Sequence, residues 1–223
     1  MDASVKHAMK VSLAQFAAVN KKDSKAFFES LVSVFDKNDD YLKKVAALDS
    51  EFDDHLLYEP LREIFFDLLL INFFNEDVRK LEEDYLDSPE WELIEEKTLD
   101  RGTELLNLML YLKECEDEDI EPDLGDFLRE FLLVDEDEFQ DEHRIYEDVI
   151  ANQILVESTL EEVARVSEDL PETSELKELF YPVIGFFREQ DPDEAEFADF
   201  INNSLDPAFD SAVYSLLISY NQQ

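Results

Sequence analysis

The sequence predicts an all-α protein, a helical bundle or two-layer helical array of about nine to eleven helices. Three observations predict it. Only three glycines (Gly102, Gly125, Gly185) and seven prolines occur in 223 residues, too few for tight β-hairpins or Gly-rich phosphate loops. Apolar residues recur at three- and four-residue spacing along most of the chain. The polar breaks between these runs read as helix starts, with Asp or Ser followed by Pro or by acids.

Taken in order, Val5 to Val19 forms an amphipathic helix with Val5, Met9, Leu13, Phe16 and Ala17 on its apolar face. Asp23 or Ser24 caps a second helix that runs to about Phe35, and Asn38 or Asp39 starts a third through Tyr41, Leu42, Val45 and Leu48. The central helix is expected over Leu61 to Phe74, where ten of fourteen residues are large and apolar and Pro60 fits the first turn. Arg62, Glu63, Asp67 and Asn72 scatter around that helix, so neighbours must cover most of its surface. Asp77 to Leu86 continues helically, and Ser88-Pro89-Glu90 starts a helix that extends from Trp91 to about Cys115. Gly102, in its middle, marks a kink or a close helix contact.

Residues 114 to 123 are the most polar run and contain Pro122. The chain is therefore read as one domain over 1–223, with this acidic segment able to link two halves, 1–114 and 123–223. Beyond it come a helix from Asp123 to Val134, an acidic turn, a long helix from about Phe139 to Val166, and a helix from Glu175 to Glu189 kinked at Pro182 and Gly185. Two helices starting at Asp191-Pro192 and Asp206-Pro207 close the chain as a hairpin.

Charge bounds the partners. The chain carries 58 acids against 19 bases, a net −39, and the excess lies in one part of it. Residues 1–44 have eight lysines and six acids, net +2; residues 45–223 have eleven bases and 52 acids, net −41. Such a surface repels phosphates and anionic lipids, so direct nucleic-acid and membrane binding are not expected, whereas a basic protein partner or a divalent cation is compatible. No apolar run reaches the ~18 residues that cross a bilayer. The stretch after Lys6 and Lys10 is interrupted by Ser12 and Gln15, unlike a signal peptide. With Cys115 as the only cysteine, flanked by acids that disfavour a thiolate, a reducing, cytoplasmic setting is expected.

Candidate chemistry is confined to carboxylates. Asp36-Lys-Asn38-Asp-Asp40 opens like an EF-hand loop, but its sixth and twelfth positions are Tyr41 and Ala47, and it reads as a capping turn. Glu51, His55, Glu59, Glu63 and Asp67 follow one another at four-residue spacing, a stripe expected to be a solvated face. Within it, Glu63 and Asp67 lie on the most apolar helix of the chain and are the acids hardest to assign to solvent. Glu92-x-x-Glu95 on one helix and Asp123-x-x-Asp126 on the next resemble the paired motifs of the all-α MazG-type nucleotide pyrophosphohydrolases. In that family two helices place four carboxylates around magnesium, which holds the nucleotide's phosphates; the resemblance covers about a sixth of the chain. Asp123 replaces the usual Glu, and Pro122 stands where the helix begins. With 58 acids in 223 residues, an acid-x-x-acid pair arises roughly fifteen times by chance.

The leading expectation is a non-enzymatic protein-interaction module (an adaptor, chaperone-like protein or antagonist) with no cofactor. Asp117, Glu118 and Asp119 and the run Asp135, Glu136, Asp137 and Glu138 are its candidate contacts with a basic partner. The alternative is a metal-dependent hydrolase using magnesium or another divalent ion, with Glu63, Asp67, Glu92, Glu95, Asp123 and Asp126 as candidate ligands. No Gly-x-Ser-x-Gly elbow accompanies the three histidines, so nucleophilic hydrolysis has no support.

Overall fold

The computed structural model describes residues 1–81, 83–132 and 145–222. It is all-α, with no strand among the described residues. In chain order the helices are α1 (Ala3–Val19), α2 (Lys25–Phe35), α3 (Tyr41–Asp54), α4 (Arg62–Glu76), α5 (Glu83–Leu86), α6 (Pro89–Thr98) and α7 (Leu105–Glu118). There follow α8 (Leu124–Leu132), α9 (Glu147–Ala151), α10 (Leu160–Asp169), α11 (Lys177–Arg188), α12 (Glu194–Asn203) and α13 (Pro207–Asn221). Short 3-10 turns lie at Leu56–Leu61, Val78–Leu81 and Gln153–Glu157.

Two helices form the middle of the molecule. On α4, ten of fifteen residues are buried, including the polar Asp67 and Asn72, as the all-round apolar pattern requires. The second is α13, one arm of the expected C-terminal hairpin, and eleven of its fifteen residues are buried. The reason lies in its neighbours: α13 packs on α1, α7, α11 and α12, and its pairing with α1 is the most extensive helix contact. Ser211, Ser215 and Ser219 form a stripe of small buried residues, and Gln15 on α1 donates to the Ser211 hydroxyl at 3.2 Å. Ser211 and Ser219 return their own hydroxyls to the carbonyls of Pro207 and Ser215, so they can be buried without loss of a partner.

The first helix has the expected apolar face, with Val5, Met9, Leu13, Phe16 and Ala17 all buried. Other boundaries differ from the sequence reading for local reasons. The cap of α3 is Asp40, whose carboxylate accepts from the Lys43 amide, so the EF-hand-like opening ends as a capping turn one residue later than expected. The stretch from Trp91 to Cys115 is two helices, because Gly102 adopts φ +84° in a loop that separates α6 from α7. The acidic run does not begin as a linker: α7 continues to Glu118 and ends on Asp119 in the left-handed conformation. The extended Asp77 ends α4, and the chain beyond it is helical in two short pieces, the 3-10 turn Val78–Leu81 and α5. The described part of the expected Phe139–Val166 helix is broken at Asn152 and Ser158, and a new helix starts at Thr159, whose hydroxyl caps Glu162. Finally α12 starts at Asp193, two residues after the expected position, because Asp193 and Glu196 form a reciprocal capping box.

One connected set of buried residues runs from α1 through α13, with contributions from both sides of the 114–123 segment. No helix among the described residues is long and apolar enough to cross a membrane.

Candidate functional site

Glu63 and Asp67 are brought together with the loop between α6 and α7. Asp67 is completely buried and accepts three hydrogen bonds from Thr103: the amide reaches its two oxygens at 3.0 and 3.1 Å, and the hydroxyl reaches Oδ2 at 2.6 Å. Glu63 accepts from the Gly102 amide at 2.8 Å and pairs with Arg101 at 3.0 Å. The other edge of the Arg101 guanidinium makes a two-pronged contact with Asp49 on α3. These acids fasten a loop to the central helix. The solvated face expected for the stripe therefore fails at Asp67, which lies wholly inside. Gly102 is required beside it, since a Cβ there would lie 2.5 Å from Asp67 Oδ1.

Burial pushes the Asp67 carboxyl well above the ordinary carboxylate range; the Thr103 bonds pull it back, and the charges of Glu63 and Glu104 push it further up. Further along the stripe His55 packs tilted against Phe27, with ring centroids 4.6 Å apart, and Arg62 binds Glu59 and Asp53.

The other predicted acids are dispersed. Glu92 and Glu95 are exposed on α6, which packs on α3 and α5. Asp123 caps the start of α8 by accepting from the Asp126 amide at 3.1 Å, and its own backbone bonds the Tyr111 hydroxyl; Asp126 pairs with Arg129. The two acid pairs do not converge. Among the described residues, no three His, Cys, Asp or Glu side chains come together in a way that could hold a metal ion. Asp117, Glu118 and Asp119 are exposed at the end of α7, where Asp117 lies 3.3 Å from Lys113 and Asp119 borders a hollow of about 1120 Å³ beside Arg188 and Asn221. Asp135, Glu136, Asp137 and Glu138 lie outside the described residues, as does His143.

A cavity of about 710 Å³ lies elsewhere, and none of the predicted residues that are described lines it. The C-terminal end of α10 supplies Ser167 and Glu168, the connection to α11 supplies Glu172, Ser174 and Glu175, and the first turn of α11 supplies Lys177 and Glu178. Leu205, Asp206, Phe209 and Asp210, at the entry to α13, close it opposite, with Pro60 at the rim. Asp206 is the N-cap of α13 and Pro207 its first residue, which aims the first turn and Asp210 into the wall. Asp210 is only 5% exposed; its Oδ2 accepts from the Ser204 hydroxyl at 2.5 Å, and no ion pair joins it to any cation among the described residues. Burial raises its pKa to about 7, against the opposing Ser204 bond. Lys177 is the one base on the wall among the described residues, and it is engaged by the Leu170 carbonyl at 2.9 Å and by Glu172 at 2.5 Å.

Comparison of the chain with protein-family models, with curated proteins and with solved structures finds no match. The cavity was not legible in the sequence, because its acids come from two stretches, 168–178 and 206–210, that only the fold brings face to face. Asp210 carried one signal, an acid in an otherwise apolar helix, but in a first turn that reads as a complement to the helix dipole.

Proposed function

We propose that this chain is a protein-interaction module that holds a basic partner through its acidic surface. The observation that carries this reading is the excess of carboxylates without cationic neighbours: 52 acids against eleven bases over residues 45–223. Glu92, Glu95, Glu118 and Asp119 are exposed and in no ion pair among the described residues, and a lined cavity presents acids to the outside. Uncompensated charge of one sign costs self-repulsion in the free protein, and a complementary basic surface relieves it while steering association. The dispersed carboxylates fit this role better than a metal-centred one, which needs several of them on one point.

The test is reciprocal capture from the cells in which the protein is made, at moderate salt. The expected result is a partner of high isoelectric point whose own capture returns this chain. Recovery of partners no more basic than the extract as a whole would overturn the reading.

A further inference from the structure

The cavity between α10, α11 and α13 has features that a solubilising acidic surface does not explain. Its wall carries Glu168, Glu172, Glu175, Glu178 and Asp206 as well as the almost wholly buried Asp210, against Lys177 alone. A carboxyl group placed in a protein wall without a cation is costly, and evolution of solubility alone has no reason to keep it there. Two hydroxyls are also left without partners. Ser167 is 7% exposed, lines the cavity, and its side chain makes no hydrogen bond among the described residues. Ser174 Oγ is buried and unpartnered at the same wall. Buried polar groups are ordinarily satisfied, yet here Ser174 Oγ has no partner, the Ser167 hydroxyl beside it makes no hydrogen bond, and the Asp210 carboxyl accepts only from Ser204, so the hollow keeps acceptor capacity that no donor among the described residues fills. An ammonium or guanidinium group supplies such donors with the complementary charge. Pro60, Leu205 and Phe209 add apolar surface of the kind on which the methylene stem of a lysine or arginine lies.

We propose that this cavity receives a lysine or arginine side chain from a basic segment of the partner protein, with Asp210, Ser167 and Ser174 as its acceptors and the surrounding glutamates holding the neighbouring basic residues. The inference rests on the reading of the chain as a holder of a basic partner and locates where that partner docks. A volume of about 710 Å³ admits a short peptide segment rather than a single ammonium ion. Lys177, already engaged by Leu170 and Glu172, does not occupy the acceptors that the ligand takes.

Calorimetric titration of the full chain with an acetylated, amidated tetralysine peptide tests the site, with spermine as the small-amine comparison. The informative variants are Asp210→Asn and Ser167→Ala, set against Glu114→Gln, which removes one charge from an exposed position on α7. Saturable one-to-one binding of the peptide is expected, weakened about tenfold by Asp210→Asn, about threefold by Ser167→Ala and less than about twofold by Glu114→Gln. Thermal melting of the same samples confirms that each variant is folded. Equal weakening by Asp210→Asn and Glu114→Gln would mean diffuse attraction to the surface, which overturns the site but leaves a basic partner in place. Spermine binding more tightly than the peptide would overturn the protein segment as occupant. Absence of saturable peptide binding, where capture still returns a basic protein, would likewise overturn the cavity as its dock.

Discussion

At the scale of single residues, two buried aspartates have opposite consequences. Asp67 holds the Thr103 amide and hydroxyl, so replacing it by Leu leaves two donors unsatisfied inside the protein. The expected loss is about 2–4 kcal/mol in denaturant unfolding, whereas Asp67→Asn, which keeps an acceptor, should lose less than about 1.5 kcal/mol. A neutral Asp67→Leu would show that the loop does not depend on the carboxylate. Asp210, in contrast, has no cationic partner among the described residues, and its pKa is raised from 3.8 to about 7. Below the unfolded value both states are protonated and the group costs nothing. As pH rises from about 4 to 7 the unfolded carboxyl ionises while the buried one stays protonated, so stability falls through that window and the penalty is complete above it. Asp210→Asn avoids the penalty while keeping the acceptor for Ser204. Its stability relative to the wild type should rise with pH, by about 2–4 kcal/mol between pH 4 and 8. A difference that stays flat with pH would remove the buried charge from the explanation.

At the scale of elements, the legible part of the fold was what periodicity and caps write locally. The first helix, the Ser88-Pro89 and Asp206-Pro207 starts and the apolar central helix all follow from side-chain patterns within a few residues of one another. The break between α6 and α7 did not, because Ile94, Thr98, Leu105 and Leu108 keep a helix-like spacing across a loop whose shape is fixed by Asp67, more than thirty residues away. Asp67 itself was recognisable as an acid out of place on an apolar helix, though not as the anchor of that loop. Packing between elements was equally hidden. Gly185 read as a kink, yet it marks a contact: a Cβ there would lie 2.5 Å from the Phe200 ring, which in turn stacks on Tyr214 with centroids 4.1 Å apart. Gly185→Ala should therefore cost about 1–3 kcal/mol despite the better helix propensity of alanine, while Gly185→Ala with Phe200→Leu should recover part of it. An Ala variant as stable as the wild type would place no such constraint between α11 and α12.

At the scale of the whole molecule, the sequence announced an acidic helical protein but could not bring its carboxylates to their places. Six acids are candidate metal ligands in the sequence; the fold uses Glu63 and Asp67 to fasten a loop, sets Asp123 as a cap, and leaves Glu92 and Glu95 in solvent. What remains is a large excess of acids over bases and, among the described residues, a cavity where acids meet the buried Asp210 carboxyl and the unpartnered Ser174 hydroxyl. Both features are what the proposed reading, a protein completed by a basic partner, calls for. The measurement that tests this most directly is the dissociation constant of the captured partner over a series of salt concentrations. Charge-led binding predicts that affinity falls steeply as screening increases, by tenfold or more between about 50 and 300 mM salt, chiefly through the association rate. An affinity unchanged across that range would contradict an acidic surface as the basis of recognition.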